Sequence, residues 1–418
     1  MEKSLTPKKS IMKTTINLKC LVVAVIVLIQ LIVEMFTVNT YLDEIITVAM
    51  IVIIAVTLIT GKINNYDLYT LVFLGFVIII GLLANVLFSI NPSIFSVMVD
   101  VLTQIKPFTI FIGIRYLLNE KEKQTVIYYL SPYALVFILI VFIFSIINQF
   151  ADINMSSGVR YGIKIFKFIY TFNHQYTTST ILCFGLIICN NHIGSHTKKF
   201  FGAIGLIAIA SALKTLSVVF PIVWISTYYY FGRYKRFNPI LLIPASLLIL
   251  LLGSYQINTY LLDTDSPRRV FIDYAIKDAN DHFPLGSGFG TYGSSEAVKH
   301  YSKLYYEYGF NNRWGLSPDF HPFIHDNYWQ SVLGQFGWFG FPVFILLYAR
   351  IINSAYNVDV PAQVKAYQIA AFTAVMVFAI GSAAITSTQG LLFFFGLSLF
   401  SKPEKDTKKK RLKIQIKF

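Results

Sequence analysis

Residues Asp67 to Ser89 read DLYTLVFLGFVIIIGLLANVLFS, with no charge after the first position. An apolar run of about twenty residues is what an α-helix needs to cross ~30 Å of hydrocarbon at ~1.5 Å per residue. Runs of the same kind recur near residues 21–38, 43–60, 95–118, 125–149, 176–192, 200–213, 215–231, 238–256, 325–348, 365–386 and 388–400. The fold expected is therefore an all-α integral membrane protein with about 12 transmembrane helices. Composition agrees: 55% of the 418 residues are hydrophobic, 13% are charged and the mean hydropathy is +0.60, which excludes an ordinary soluble domain.

Basic segments tend to stay in the cytoplasm. With the N-terminus inside, that side collects Lys3, Lys8, Lys9, Lys13 and Lys19, then Arg233, Lys235 and Arg236, and the tail from Lys402 to Lys417. Both termini are thus expected to be cytoplasmic. The net charge of +14 becomes mostly a topology signal. The tail KKKRLKIQIK reads as an anchor near anionic lipid, and no nucleic acid is expected as a partner. The first apolar run is too long for a signal peptide and no small-residue cleavage site follows it. Cys20, Cys183 and Cys189 show no framework spacing and read as small apolar residues without disulfides.

The expected division is a basic N-terminus at 1–20, a bundle at 21–256 with an outward loop at 151–176, a large outward loop with short helices at 257–324, further spans at 325–400, and a basic tail at 401–418. Both outward loops break the positive-inside trend. The first carries Arg160, Lys164 and Lys167, and the second Arg268, Arg269, Lys277, Lys299, Lys303 and Arg313. Basic residues kept outside against the insertion bias suggest an anionic ligand, although long loops also translocate regardless of charge.

Within the large loop, Ser266-Pro267 predicts a helix start, and Val270, Phe271, Tyr274 and Ala275 share one face before charged Lys277 and Asp278 interrupt it. Gly286, Gly288 and Gly290 alternate; a tight turn is favoured there over an anion nest, because no strand-helix context supports a phosphate loop. Asp263-x-Asp265 reads as loop. The stretch FHPFIHDNYWQSVLGQFGWFGF, Phe320 to Phe341, predicts a helix from Pro322 with His325 at its outer end. Gly334, Gly337 and Gly340 would thin that helix and admit a neighbouring one. His325 can take a proton near neutral pH, with Asp326 beside it, or it can be an interfacial histidine next to Tyr328 and Trp329. His321 and His325 lack a companion glutamate at metalloprotease spacing, and no metal or cofactor is expected.

Three segments carry a resemblance. RYG with FNH, at Arg160–Gly162 and Phe172–His174, the run from Pro267 to Tyr292, and HDNYWQSVLGQFGWFG together resemble the O-antigen polymerase/ligase superfamily, the Wzy and WaaL type of polytopic membrane glycosyltransferases. Leu213-Lys214-Thr215-Leu216-Ser217 sits where that family often has a T-x-S-R run; the arginine is absent, and whether Lys214 replaces it is open. Asp326 stands where Asn or Ser is common, and the G-x-x-G register can be Gly334 with Gly337 or Gly337 with Gly340.

The resemblance implies a multi-pass protein of the bacterial cytoplasmic membrane that joins undecaprenyl-pyrophosphate-linked oligosaccharides at the outer face. It implies inversion at the anomeric carbon without a metal, and it admits a chain-length regulator as partner. His325 is then the catalytic base. Arg160 and Arg269 are the pyrophosphate clamps, with Arg268 as nearest substitute, and Asp326 and Tyr274 belong to the substrate site. Tyr292 and Tyr305 are further stacking faces. Arginine forks match pyrophosphate oxygens, and a sugar hydroxyl needs a base to become nucleophilic. A composition rich in Ile, Lys, Asn, Tyr and Phe favours a low-GC bacterium, and hence polymerase over ligase. Two other classes stay open: a polyprenol-phosphate-sugar glycosyltransferase using Asp43 and Glu44, and a lipid-linked oligosaccharide flippase or transporter using Glu34, Asp100 and Lys106.

Overall fold

The computed structural model describes residues 17–36, 41–168, 173–233, 263, 266–324, 326–356 and 360–401. Outside them lie most of both basic termini, the expected span 238–256, Phe172, Asp265 and His325. The chain is helical. It opens with α1 (Leu18–Phe36), α2 (Leu42–Ile59), α3 (Asn65–Phe88), α4 (Ile94–Leu117) and α5 (Glu120–Phe150). A hairpin follows, β1 (Ser156–Arg160) and β2 (Ile163–Phe166), then α6 (Asn173–Ile188), α7 (Ser195–Ala210) and α8 (Thr215–Arg233). Beyond residue 266 come α9 (Pro267–Asp281), α10 (Ser295–Lys299), α11 (Lys303–Glu307), α12 (Tyr328–Tyr356), α13 (Ala362–Phe378) and α14 (Thr388–Phe400).

Seven helices, α1 to α5 with α12 and α13, are long and apolar enough to cross a membrane. Helices α6 and α14 are apolar but shorter, and α7 and α8, where spans were also expected, are not among the seven. Helix α7 begins with Lys198 and Lys199 in its first turns, and α8 ends in Tyr228, Tyr229, Tyr230 and Arg233, which lowers their hydropathy.

Start and stop signals in the sequence explain the element ends. Asn64 caps α3, its side chain accepting the Asp67 N–H at 2.7 Å, and Asn119 with Glu122 forms a reciprocal capping box on α5. Burial then sorts the helices. In α4 78% of the apolar window is buried, against 28% in α2 and in α3, so α4 is central and the other two present apolar faces outward. Ionisable groups follow the same rule: Asp100, Lys106 and Arg115 of α4 are all buried, where protein rather than lipid can answer them. Arg115 reaches Asp67 of α3 at 2.9 Å and Tyr116 donates to the same carboxylate at 2.8 Å.

The hairpin departs from an all-α expectation. Tyr161 and Gly162 form its two-residue tip with φ of 54° and 77°, the mirror-image turn whose twist matches paired strands. Gln149 of α5 holds Lys164 by both backbone groups at 2.9 and 3.0 Å. The Phe166 N–H donates to the Ser211 carbonyl at 3.0 Å, fixing β2 to the end of α7.

Helix α9 starts at Pro267 as its sequence predicts. Its inner face continues through Asp278, which is fully buried and accepts from Ser287 Oγ at 2.7 Å and Tyr308 at 2.9 Å, with His282 Nδ1 at 2.9 Å. Around it a second core forms from Val270, Phe271, Tyr292, Tyr305, Phe310 and Ile324, distinct from the main core of the bundle.

Helix α12 corrects two expectations. It begins at Tyr328, not Pro322, because residues 322–324 form a turn. Its glycines receive a loop rather than a helix. Gly337 breaks the helix at φ 58° and ψ −164°, and residues 284–290 insert there. The Ser287 and Gly288 amides donate to the Gly334 and Gln335 carbonyls at 3.0 and 2.9 Å, and the Phe339 amide donates back to Pro284 at 3.3 Å. A Cβ on either Gly286 or Gly337 would collide with the backbone of the other strand of this clasp.

Candidate functional site

The hairpin presents Arg160 to the connection between α7 and α8. There its Nη1 donates to the Leu213 carbonyl at 2.9 Å, and Leu213 itself sits at φ 46°. Lys214 follows, held by Ser217: the Lys214 N–H donates to Ser217 Oγ at 2.8 Å and the hydroxyl donates back to the Lys214 carbonyl at 2.8 Å. The Leu-Lys-Thr-Leu-Ser run is thus a small staple that aims one lysine. Burial, then the repulsion of Arg160 and Arg268, lowers the Lys214 pKa from its ordinary 10.5. Three cations from three separate parts of the chain therefore share one field.

Arg268 enters from the second position of α9. Its Nη2 pairs with Asp326 Oδ2 at 3.1 Å and its guanidinium lies 5.8 Å from the Phe323 ring centroid. Arg269, one residue on, points elsewhere: it grips Asp273 of its own helix at 3.1 and 3.0 Å on an exposed face. Helical geometry decides this, since successive residues are turned about 100° apart. Arg268, the substitute in the sequence reading, thus acts on Lys214 together with Arg160, while Arg269 pairs along its own helix.

His325 lies outside the described residues. On either side of it, Ile324 is buried in the second core and Asp326 is bound to Arg268. The Nδ1 of His321 faces the carbonyls of Ser317 and Pro318 at 3.2 and 2.9 Å; carbonyls only accept, so Nδ1 carries a proton and donates. Tyr274 is half-buried, 5.0 Å from the Tyr308 ring, with Lys277 Nζ 5.6 Å above it. Tyr292 and Tyr305 are fully buried. Tyr292 donates to the Phe271 carbonyl at 2.6 Å and Tyr305 receives the Gly293 N–H at 2.8 Å, so neither offers a face to a sugar.

The glycine-rich turn is not an anion nest either. Besides the amides given to α12, the Phe289 N–H donates to Asn85 Oδ1 at 2.8 Å and the Gly290 N–H to Asp100 Oδ2 at 2.7 Å. Among the described residues, no three His, Cys, Asp or Glu side chains come together as metal ligands.

Sequence reasoning missed the Asp278–His282 pair, although the i, i+4 spacing on an otherwise apolar face was its signal. It also saw Asp43, Glu44 and Lys106 only separately. In the fold Lys106 Nζ bonds Asp43 and the Thr386 carbonyl and lies 3.7 Å from Glu44. No protein-family model matches the chain, and no curated protein does.

Proposed function

We propose that the chain is a membrane glycosyltransferase that polymerises lipid-linked oligosaccharide units, with the cationic cluster of Arg160, Lys214 and Arg268 binding the donor's pyrophosphate. The observation that carries this reading is the convergence of those three cations, brought together from the hairpin, the connection between α7 and α8, and the start of α9. A pyrophosphate is the small anion whose several oxygens such a cluster matches. Lys214 takes the place of the arginine in the T-x-S-R pattern.

In this reading the acceptor hydroxyl gives its proton to the imidazole of His325. Its oxygen attacks the anomeric carbon, and the bond from that carbon to the phosphate oxygen breaks with its electron pair leaving on the pyrophosphate. The cations stabilise the charge that develops there, and base catalysis supplies ~10²–10⁴ in rate. The carrier is undecaprenyl pyrophosphate, the reaction needs no metal, and the product is a capsule, exopolysaccharide or O-antigen chain. The membrane is the bacterial cytoplasmic one, with about 12 spans, both termini cytoplasmic and residues 257–324 outward.

The test is polymer formation in cells lacking the native gene and supplied with Arg160→Ala, Lys214→Ala or Arg268→Ala. Each variant is expected to accumulate in the membrane yet leave single repeat units on a polysaccharide gel. Normal chain lengths from all three would overturn the cluster's role. Topology is read in the same cells: the three native cysteines are buried, so an impermeant thiol reagent should label Ser157→Cys and spare Lys62→Cys.

A further inference from the structure

A cavity of about 540 Å³ opens between the start of α2, the middle of α4, α10 and the start of α14. Its size falls in the ~300–1,000 Å³ range of small-molecule sites. Five charged side chains line it: Asp43, Glu44, Lys106, Glu296 and Lys299. Asp43 is paired with Lys106, which also lies 3.7 Å from Glu44 Oε1, and Glu296 is paired with Lys299. A narrow cleft sharing Thr103, Ser295 and Thr386 continues inward to Gln104.

Two buried acceptors receive no hydrogen bond among the described residues, Glu44 Oε2 in the cavity and Gln104 Oε1 in the cleft beyond it, and Gln104 is 2% exposed. A buried carboxamide oxygen and a carboxylate oxygen left without donors are each costly, about 1–3 kcal/mol, unless something donates to them. The missing partner is therefore a donor-rich molecule. An anion would face Glu44, and a further full cation would meet Lys106 and Lys299. A neutral polyhydroxylated ring meets neither penalty, and it finds carboxylates for its hydroxyls with Tyr41 and Val99 for its apolar face.

The position matters as much as the chemistry. One short connection between α13 and α14 borders both places: a Cβ on Gly381 would lie 3.9 Å from Arg268 Nε, while Thr386 gives its carbonyl to Lys106. We propose that this cavity is the acceptor-saccharide subsite, holding a neutral sugar ring through Glu44 while the cationic cluster holds the donor. The proposal rests on the glycosyltransferase reading, and the two are separable because each site has its own probe.

The experiment uses the full chain in lipid nanodiscs with two sets of probes. Inorganic pyrophosphate reports the cationic cluster, and a panel of methyl hexosides and N-acetylhexosamines reports the cavity, both by thermal shift and calorimetry. At least one panel sugar should bind the wild type. Glu44→Gln should weaken that binding about tenfold and Thr103→Trp, which fills the cavity, should remove it, with pyrophosphate binding unchanged in both. Arg268→Ala should do the reverse. Sugar binding that survives both cavity variants, or no sugar binding at all, overturns the subsite. Loss of pyrophosphate binding from the wild type with intact sugar binding overturns the donor cluster and leaves the subsite standing.

Discussion

The glycine loop at residues 284–290 and the cationic cluster at Lys214 both lean on α9, yet they dispose of their polar groups in opposite ways. In the loop every amide from 286 to 290 has a protein acceptor: His282, Gly334, Gln335, Asn85 or Asp100. In the cluster burial and the charges of Arg160 and Arg268 both act against the charge on Lys214. The contrast teaches that a motif's look is a poor guide to ligand binding. Flexible backbone rich in N–H groups is committed to holding the fold, while an unremarkable Leu-Lys-Thr-Leu-Ser run keeps a charge available.

That contrast is open to direct attack. The largest effect is expected at the clasp. Gly337→Ala would force a side chain into left-handed backbone and against Gly286, so we expect a loss of about 3 kcal/mol or more, read as a collapse of monodisperse protein on heated size-exclusion chromatography. Wild-type thermostability in this variant would mean that the loop does not depend on close backbone approach.

Next is the cluster. Arg268→Ala should lower polymerisation about 10²-fold or more while stability shifts by no more than about 1 kcal/mol, since its pair with Asp326 is partly exposed. Arg268→Lys should recover little of it. Arg269→Ala is the control: its exposed pair with Asp273 is worth about 0–1 kcal/mol, and polymer length should stay near wild type. Equal loss from both arginine variants would remove the distinction between the two faces of α9.

A smaller effect concerns His282. Its burial opposes the charged imidazole, but the hydrogen bond and charge of Asp278 more than offset this, and the pKa rises above 6.5. The folded state thus binds the proton more tightly than the unfolded chain. That stability is complete below pH 6.5 and fades as pH climbs through the raised value. Thermal unfolding across that window should be flatter in His282→Gln than in wild type.

The smallest concerns Lys214, whose lowered pKa means it loses charge below 10.5. Pyrophosphate affinity should therefore fall as pH rises toward that value, and Lys214→Arg should hold affinity level. A wild-type profile that tracks the Lys214→Arg variant throughout would show that loss of charge at Lys214 does not govern binding.

Much of the bundle was legible because lipid crossing leaves long uninterrupted apolar runs, as at residues 67–89, and the start of α9 was announced by Ser266-Pro267. The hairpin was not, since five- and four-residue strands are too short for alternation to stand out, and the turn there needs Tyr161 in a conformation tyrosine seldom adopts. Site residues divided along a similar line. Spacing could place Arg268 and Arg269 on one helix but could not say which way each turns without knowing what α9 buries. The cavity was beyond reach altogether, because Asp43, Lys106, Glu296 and Ser387 come together only in three dimensions.

The clasp between Gly286 and Gly337 also bears on how this protein can change over generations. Each glycine is hemmed in by the other's main chain, so a substitution at one cannot be rescued by trimming the other, which has nothing left to remove. The join therefore acts as a weld, inherited whole or lost. Most residues lining the cavity at Glu44 offer side chains, and those outside the buried Lys106–Asp43 pair can be exchanged singly. A lineage carrying this fold can thus retune what the cavity accepts while the weld keeps the inserted loop in register.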